Sequence, residues 1–255
     1  MPAGPAASTH VVAVRGNLRL MPEELIVTLE GGGETSALRY AAQDPRAPVL
    51  VLAHGAGAGQ RSPFMTAFCD AMQTRGITAV TFDFPYMRDR RRVPDRPPVL
   101  EAARRAVLEH LTSRGAAGRV VIGGKSMGGR IASQVLSVPA QPLPDVAGLV
   151  LLGYPLHPPG QPDRPRTEHL PLLATPTLVV QGAHDAFGAE QEVREAFAAV
   201  RAPVDWLIIP GGDHSFKVRR GGPSQADVFL DVYETVAGWV HRCSSTDAAA
   251  PVRRD

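Results

Sequence analysis

Short, continuously apolar runs alternate with longer stretches of helical period along most of the chain. Val49 to Ala53 is apolar at every position, the pattern of a strand covered on both faces. Thr78 to Phe82, Arg119 to Gly123, Leu149 to Leu152, Thr177 to Gln181 and Val204 to Ile209 repeat it. Ahead of them, Leu25 to Glu30 and Ser36 to Tyr40 flank Gly31-Gly32-Gly33. That predicts an opening hairpin, because glycine reaches turn conformations that other residues resist.

Helices are predicted between the strands. Pro63 to Thr74 has Ser62 placed as N-cap, Pro63 at the first helical position and Gly76 as a stop. Val99 to Arg114 carries apolar residues at Val99, Ala103, Ala106, Val107, Leu108 and Leu111, close to helical period, and ends at Gly115. Ser126 to Val138, Ala189 to Val200 and Gln225 to Val240 complete the set. Strand and helix in alternation predict an α/β fold with a mostly parallel sheet flanked by helices.

Tyr154 to Pro176 breaks the rhythm. It is too rich in proline to be one regular helix, so it is predicted to be a loop with at most one short helix. A large hydrophobic lid is not expected there, which argues against interfacial lipase action. Residues 1–19 are expected to be a tail with a possible first strand, residues 20–242 one domain, and residues 243–255 a disordered tail.

Composition narrows the function class. The 255 residues, 44% hydrophobic, suit one α/β domain with a full core. Basic and acidic residues nearly balance, 27 against 25, and no basic, aromatic-interleaved stripe is present, so nucleic acid is not an expected partner. No apolar run reaches membrane-spanning length, and the start lacks the features of a signal peptide. With only Cys69 and Cys243, there is neither a disulfide framework nor a metal spacing, and a reducing cytoplasm is the expected setting. Only two of the 27 basic residues are lysines, Lys125 and Lys217.

Gly124-Lys125-Ser126-Met127-Gly128 matches G-x-S-x-G. The match is weak alone, but it follows the apolar run Val120-Val121-Ile122 and opens a helical stretch. That is the strand–turn–helix setting in which a serine is presented at a sharp turn. Small flanking residues suit the tight turn, and the helix N-terminus favours developing negative charge.

A nucleophilic serine needs a base and a group to orient it. Gly182-Ala183-His184-Asp185 follows one predicted strand, and Gly211-Gly212-Asp213-His214-Ser215-Phe216 follows the next. Both loops should emerge on the same sheet edge as Ser126, so Asp185 is the expected acid and His214 the expected base. Asp83, at the end of Thr78 to Phe82, is the alternative acid. His184 precedes Asp185, the wrong order for the base, and His10, His110, His169 and His241 read as surface or tail residues. The oxyanion needs two preorganised N–H donors. These are expected from Met127 and from His54-Gly55-Ala56-Gly57-Ala58-Gly59, with Ala56 first choice and Gly57 second.

Together, His54-Gly55, Gly124 to Arg130, Gly182 to Asp185 and Gly211 to Phe216 resemble the α/β-hydrolase superfamily, near its dienelactone-hydrolase-like branch. Phe82-Asp83-Phe84-Pro85-Tyr86 and the Gly-Lys-Ser-Met-Gly-Gly-Arg turn resemble a narrower group of small hydrolase-like proteins. That group includes a hydrolase-like domain in a subunit of an animal chromatin-modifying complex. The resemblance covers about residues 20 to 242. It implies an eight-stranded sheet and Ser126, Asp185 and His214 as the triad. Dienelactone hydrolases carry a cysteine where this chain has Ser126, so their substrate is not carried over.

The implied activity is cofactor-free and metal-free hydrolysis of a small acyl substrate, an ester or thioester, through an acyl-enzyme. Peptidase or haloperoxidase-like chemistry is an alternative on the same residues, and a non-catalytic binding or scaffold module is the alternative from another class. Lys125, Arg88, Tyr86 and Phe187 are the expected substrate contacts, with His157 beside Phe187 in a modest pocket. One of the two lysines is expected to pair with a buried carboxylate or a substrate anion near the site, or else to form a structural ion pair. The run Arg88-Asp89-Arg90-Arg91-Arg92 is either an anion-recruiting loop or a solvated one. No oligomeric state follows from the sequence.

Overall fold

The computed structural model describes residues 11–14, 17–113, 119–138, 143, 145–219 and 222–245. The first two strands, β1 (Val11–Val14) and β2 (Asn17–Leu20), pair with each other as an antiparallel hairpin outside the main sheet. Residues 1–10 and 246–255 of the expected tails lie outside the described residues.

The main sheet is built from β3 (Glu23–Thr28), β4 (Glu34–Tyr40), β5 (Val49–Ala53), β6 (Thr78–Phe82), β7 (Val120–Lys125), β8 (Val146–Leu152), β9 (Thr177–Gly182) and β10 (Val204–Ile209). Its order is β10-β9-β8-β7-β5-β6-β4-β3. The strands from β10 to β6 are parallel neighbours, while β3 pairs antiparallel with β4 and β4 with β6. This is the predicted eight-stranded, mostly parallel sheet. The chain leaves β5 towards β6 on one side and returns to β7 on the other. The crevice between the C-terminal ends of β5 and β7 is therefore the switch point where open α/β sheets bind ligands.

The helices are α1 (Pro63–Gln73), α2 (Pro85–Arg88), α3 (Pro97–Ser113), α4 (Met127–Leu136), α5 (Glu190–Phe197) and α6 (Gln225–Ser244). Side chains alternate along β5. Val49, Val51 and Ala53 join a core formed with α3, α4 and α5, while Leu50 and Leu52 join a second core formed with α1 and α6. Both faces are thus dry, which is why β5 is apolar at every position.

Several local expectations are corrected. Ser62 sits at the N-cap of α1, but its side chain makes no cap bond; Pro63 at the first position removes one of the orphan donors instead. Val99 is 46% exposed and not part of the buried face of α3; Arg104 is on that face instead. Cys243 and Ser244, expected in the tail, are the last residues of α6, with the Cys243 sulfur near Gly148 of β8. Residues 154–176 are irregular apart from one 3-10 turn at Leu170–Leu172, as expected.

Candidate active site

Ser126 stands between β7 and α4 with φ +52° and ψ −118°, a left-handed conformation that costs a non-glycine residue roughly 1–3 kcal/mol. Close packing around the turn holds it there. A Cβ on Gly124 would stand 2.5 Å from the Ala53 oxygen, and one on Gly128 2.3 Å from the same oxygen. The turn thus rests directly on the end of β5, and only glycine fits two residues before and two residues after Ser126. The Ser126 amide is tied to the Leu152 carbonyl at 2.9 Å.

The loops after β9 and β10 bring two more groups to this edge. His214 Nε2 lies 2.8 Å from Ser126 Oγ, and His214 Nδ1 lies 2.7 Å from Asp185 Oδ2. The Asp185 side chain is fully buried. Its Oδ1 accepts the Phe187 amide at 2.8 Å, and its Oδ2 also accepts Gln181 Nε2 at 2.9 Å. With Oδ2 accepting the Nδ1 proton, Nε2 is free to accept from the serine hydroxyl. The Phe187 ring covers the imidazole, with centroids 4.2 Å apart. Asp83, the alternative acid, is engaged elsewhere. It accepts the Gln60 amide at 2.8 Å and approaches His54 at 3.7 Å.

The loop after β5 reaches the serine from the other side. A Cβ on Gly55 would lie 3.5 Å from Ser126 Cβ. Ala56 lines the same cavity as Ser126, whereas Gly57, at φ +77°, faces the Tyr86 phenol with its backbone. Met127 begins α4, where an amide has no intrahelical acceptor. His54 buckles this loop to the one after β6. Its Nε2 accepts the Phe84 amide at 3.1 Å, so Nδ1 carries the proton and donates to the Gly55 carbonyl at 2.8 Å. Burial pushes its pKa below the ordinary histidine value, consistent with that neutral form.

A cavity of about 660 Å³ opens over Ser126 and His214. Phe64, Met65, Phe187, Phe229 and Tyr233 form much of its wall; Lys125 and Lys217 line it, and among the described residues no carboxylate does. No residue of the 154–176 insert lines it. A second concavity of about 700 Å³, between the end of β3 and α3, holds none of these groups.

The remaining expected contacts divide. Lys125 and Phe187 are at the cavity. Tyr86 is fully buried behind the Ala56 loop and does not line it. Arg88 turns away to the carbonyl and carboxylate of Glu34, and Arg91 pairs with Asp95 at 2.7 Å and Asp89 at 3.3 Å. Of the arginine run, Arg88 and Arg91 therefore spend their charges on carboxylates outside the cavity. His157 is buried beside Glu192; its amide donates to the Phe187 carbonyl at 3.0 Å, but it does not line the cavity. Among the described residues Lys125 pairs with no carboxylate; its ammonium donates to the His214 carbonyl at 2.6 Å. His169 is half-buried rather than free on the surface: its Nε2 meets Ser133 Oγ at 2.8 Å, and burial lowers its pKa to about 4.

Gln181, Arg104 and the bracing role of His54 escape sequence reasoning. Gln181 had a signal, as the one amide in an otherwise apolar strand. So did Arg104, four residues from both Leu100 and Leu108 on the buried stripe of α3.

Among the described residues, no group of three or more His, Cys, Asp or Glu could hold a metal ion, and no helix is long and apolar enough to cross a membrane. Residues 46–241 match the family model of an alpha/beta hydrolase domain. The fold is shared with several solved structures of low sequence identity. A dienelactone hydrolase from Anabaena variabilis has a TM-score of 0.68 at 18% identity, over 88% of this chain and 100% of its own. An α/β serine hydrolase without a lid from Xanthomonas campestris has 0.67 at 17%, over 91% and 97%. An esterase from Pyrococcus furiosus has 0.68 at 14%, over 88% and 92%.

Proposed function

The chain belongs to the α/β-hydrolase domain family, and on that premise we propose that it is a serine hydrolase of small ester or thioester substrates. The observation that carries this reading is the continuous relay Ser126 Oγ, His214 Nε2, His214 Nδ1, Asp185 Oδ2, with contacts of 2.8 and 2.7 Å, at an open apolar cavity.

In this reading Ser126 Oγ attacks the acyl carbonyl as His214 Nε2 takes its proton, forming a tetrahedral oxyanion. Asp185 holds the imidazole and stabilises the imidazolium, while the amides of Met127 and Ala56 receive the oxyanion. His214 returns the proton to the leaving alcohol or thiol. A water, activated by the same histidine, then releases the acid from Ser126. The aromatic wall supports an acyl group or leaving group with apolar surface. The open mouth supports soluble substrates over lipid aggregates.

The test is hydrolysis of p-nitrophenyl esters from acetate to decanoate, with Ser126→Ala beside the wild type and fluorophosphonate labelling of both. Activity and labelling that vanish in the variant are expected, and the chain-length optimum measures the cavity. An unlabelled, inactive wild type would sink the enzyme reading and favour a scaffold module built on the same fold.

A further inference from the structure

Directly beneath the Ser126 turn lies a cation that the hydrolytic relay does not use. Arg104, on α3, is 0% exposed. Its Nη2 donates to the Gly123 carbonyl at 2.7 Å and to the Gly128 carbonyl at 3.1 Å. Gly123 belongs to β7 and Gly128 to α4, so one nitrogen joins the strand entering the turn to the helix leaving it. The guanidinium carbon lies 5.5 Å from the centroid of the Phe82 ring. Nε and Nη1 have no hydrogen-bond partner, and among the described residues no carboxylate forms an ion pair with this side chain.

Such an arrangement is costly for stability alone. A buried charge without a counter-ion forfeits its hydration and recovers only dipole and ring contacts. Burial accordingly pulls the Arg104 pKa down to about 9, which still leaves the group protonated at neutral pH. A methionine would fill similar space without that penalty. The charge is also felt towards the site, since it helps to depress the pKa of His54, two residues before Ala56. Positive potential from below the turn favours an oxyanion over a neutral carbonyl. That difference lowers the barrier without tightening substrate binding.

We propose that Arg104 is a positioning residue for Ser126, clamping β7 to α4 on either side of the serine and stabilising the oxyanion with its buried charge. The proposal rests on the serine-hydrolase reading above. Arg104→Lys keeps the charge, Arg104→Gln keeps donors without charge, and Arg104→Met keeps bulk alone. Each is assayed on p-nitrophenyl butyrate, with active sites counted by fluorophosphonate titration so that unfolded protein does not enter the rate.

The expected result is a kcat per active site about tenfold or more lower in Gln and Met, about the loss of one screened unit charge acting on the oxyanion. KM should stay within about twofold, and Lys should recover most of the loss. Wild-type kcat in Gln or Met would overturn the electrostatic claim, as would a loss in KM alone. If Gln and Met fail to fold, Lys decides: kcat within about threefold of wild type sustains the proposal, and a loss of tenfold or more overturns it. A wild type that the fluorophosphonate leaves unlabelled would instead remove the serine-hydrolase reading, and this proposal with it.

Discussion

Lys125 holds His214 by its backbone: the ammonium donates to the histidine's own carbonyl oxygen at 2.6 Å and lies 5.0 Å from the centroid of the Phe216 ring two residues on. The residue preceding Ser126 thereby anchors the loop that carries the imidazole. Geometry at one end of the relay is coupled to geometry at the other without passing through Asp185.

That anchor is costly to the fold. Burial lowers the Lys125 pKa from its ordinary 10.5 to about 8, against the pull of Asp185 and Asp213. Because the folded value is the lower one, the unfolded chain binds the proton more tightly. The stabilising term is complete above pH 10.5 and is lost as pH falls through 8, amounting to about 3 kcal/mol. Urea unfolding at pH 7, 8.5 and 10 should therefore show a rise in wild-type stability that Lys125→Met lacks. The variant should also lose roughly tenfold in kcat, because the His214 carbonyl loses its donor. Parallel stability curves, or an unchanged kcat, would count against this account.

Gln181 does for Asp185 what Lys125 does for His214. Its Nε2 donates to Asp185 Oδ2 and to the Gly188 carbonyl, each at 2.9 Å, and its Oε1 accepts the Tyr154 amide at 2.7 Å. One fully buried amide thus ties the end of β9 to the loops on both sides. Gln181→Leu leaves a buried N–H and a buried carbonyl unpaired, and should cost roughly 2–4 kcal/mol of stability. With Asp185 less firmly held, kcat should fall while KM stays near wild type. Chemical denaturation and steady-state kinetics on one ester check both, and a stability change under about 0.5 kcal/mol would refute the bracing role.

The strands and the relay were legible because each leaves a periodic or ordered signal. Val49 to Ala53 is apolar throughout because both faces are covered, and Ser126, Asp185 and His214 each follow a parallel strand, so topology alone sends them to one edge. Contacts that depend on where a long side chain turns were not legible. Arg88 lies on the expected loop, yet its guanidinium is drawn to Glu34 across the sheet edge. Tyr86 lies near the site in sequence, but the two-residue step from Phe84 through α2 buries it behind the Ala56 loop. Arg104 and Gln181 were hidden for another reason. A polar residue inside an apolar period reads as an interruption until its partners, here glycine carbonyls and a carboxylate, are brought next to it by distant strands.

His169 gives the fold an acid-sensitive contact away from the cavity. Ser133 Oγ donates to the Arg130 carbonyl at 2.8 Å, so His169 Nε2 must be the donor in its 2.8 Å contact with that hydroxyl. Burial, reinforced by the Arg130 charge, lowers the pKa to about 4 from an ordinary 6.5. The folded value is again the lower one. The contribution is fully present above pH 6.5 and drains away as pH falls towards 4, because the unfolded chain takes the proton first. Between pH 7 and 4.5 this one group should remove roughly 2–3 kcal/mol. His169→Gln keeps a donor for Ser133 and has no proton to gain, so it should lose that much less stability over the same interval. His54, buried and shifted in the same direction, remains in both proteins and cancels in the comparison. Equal losses in urea unfolding at the two pH values would show that His169 is already protonated in the native state.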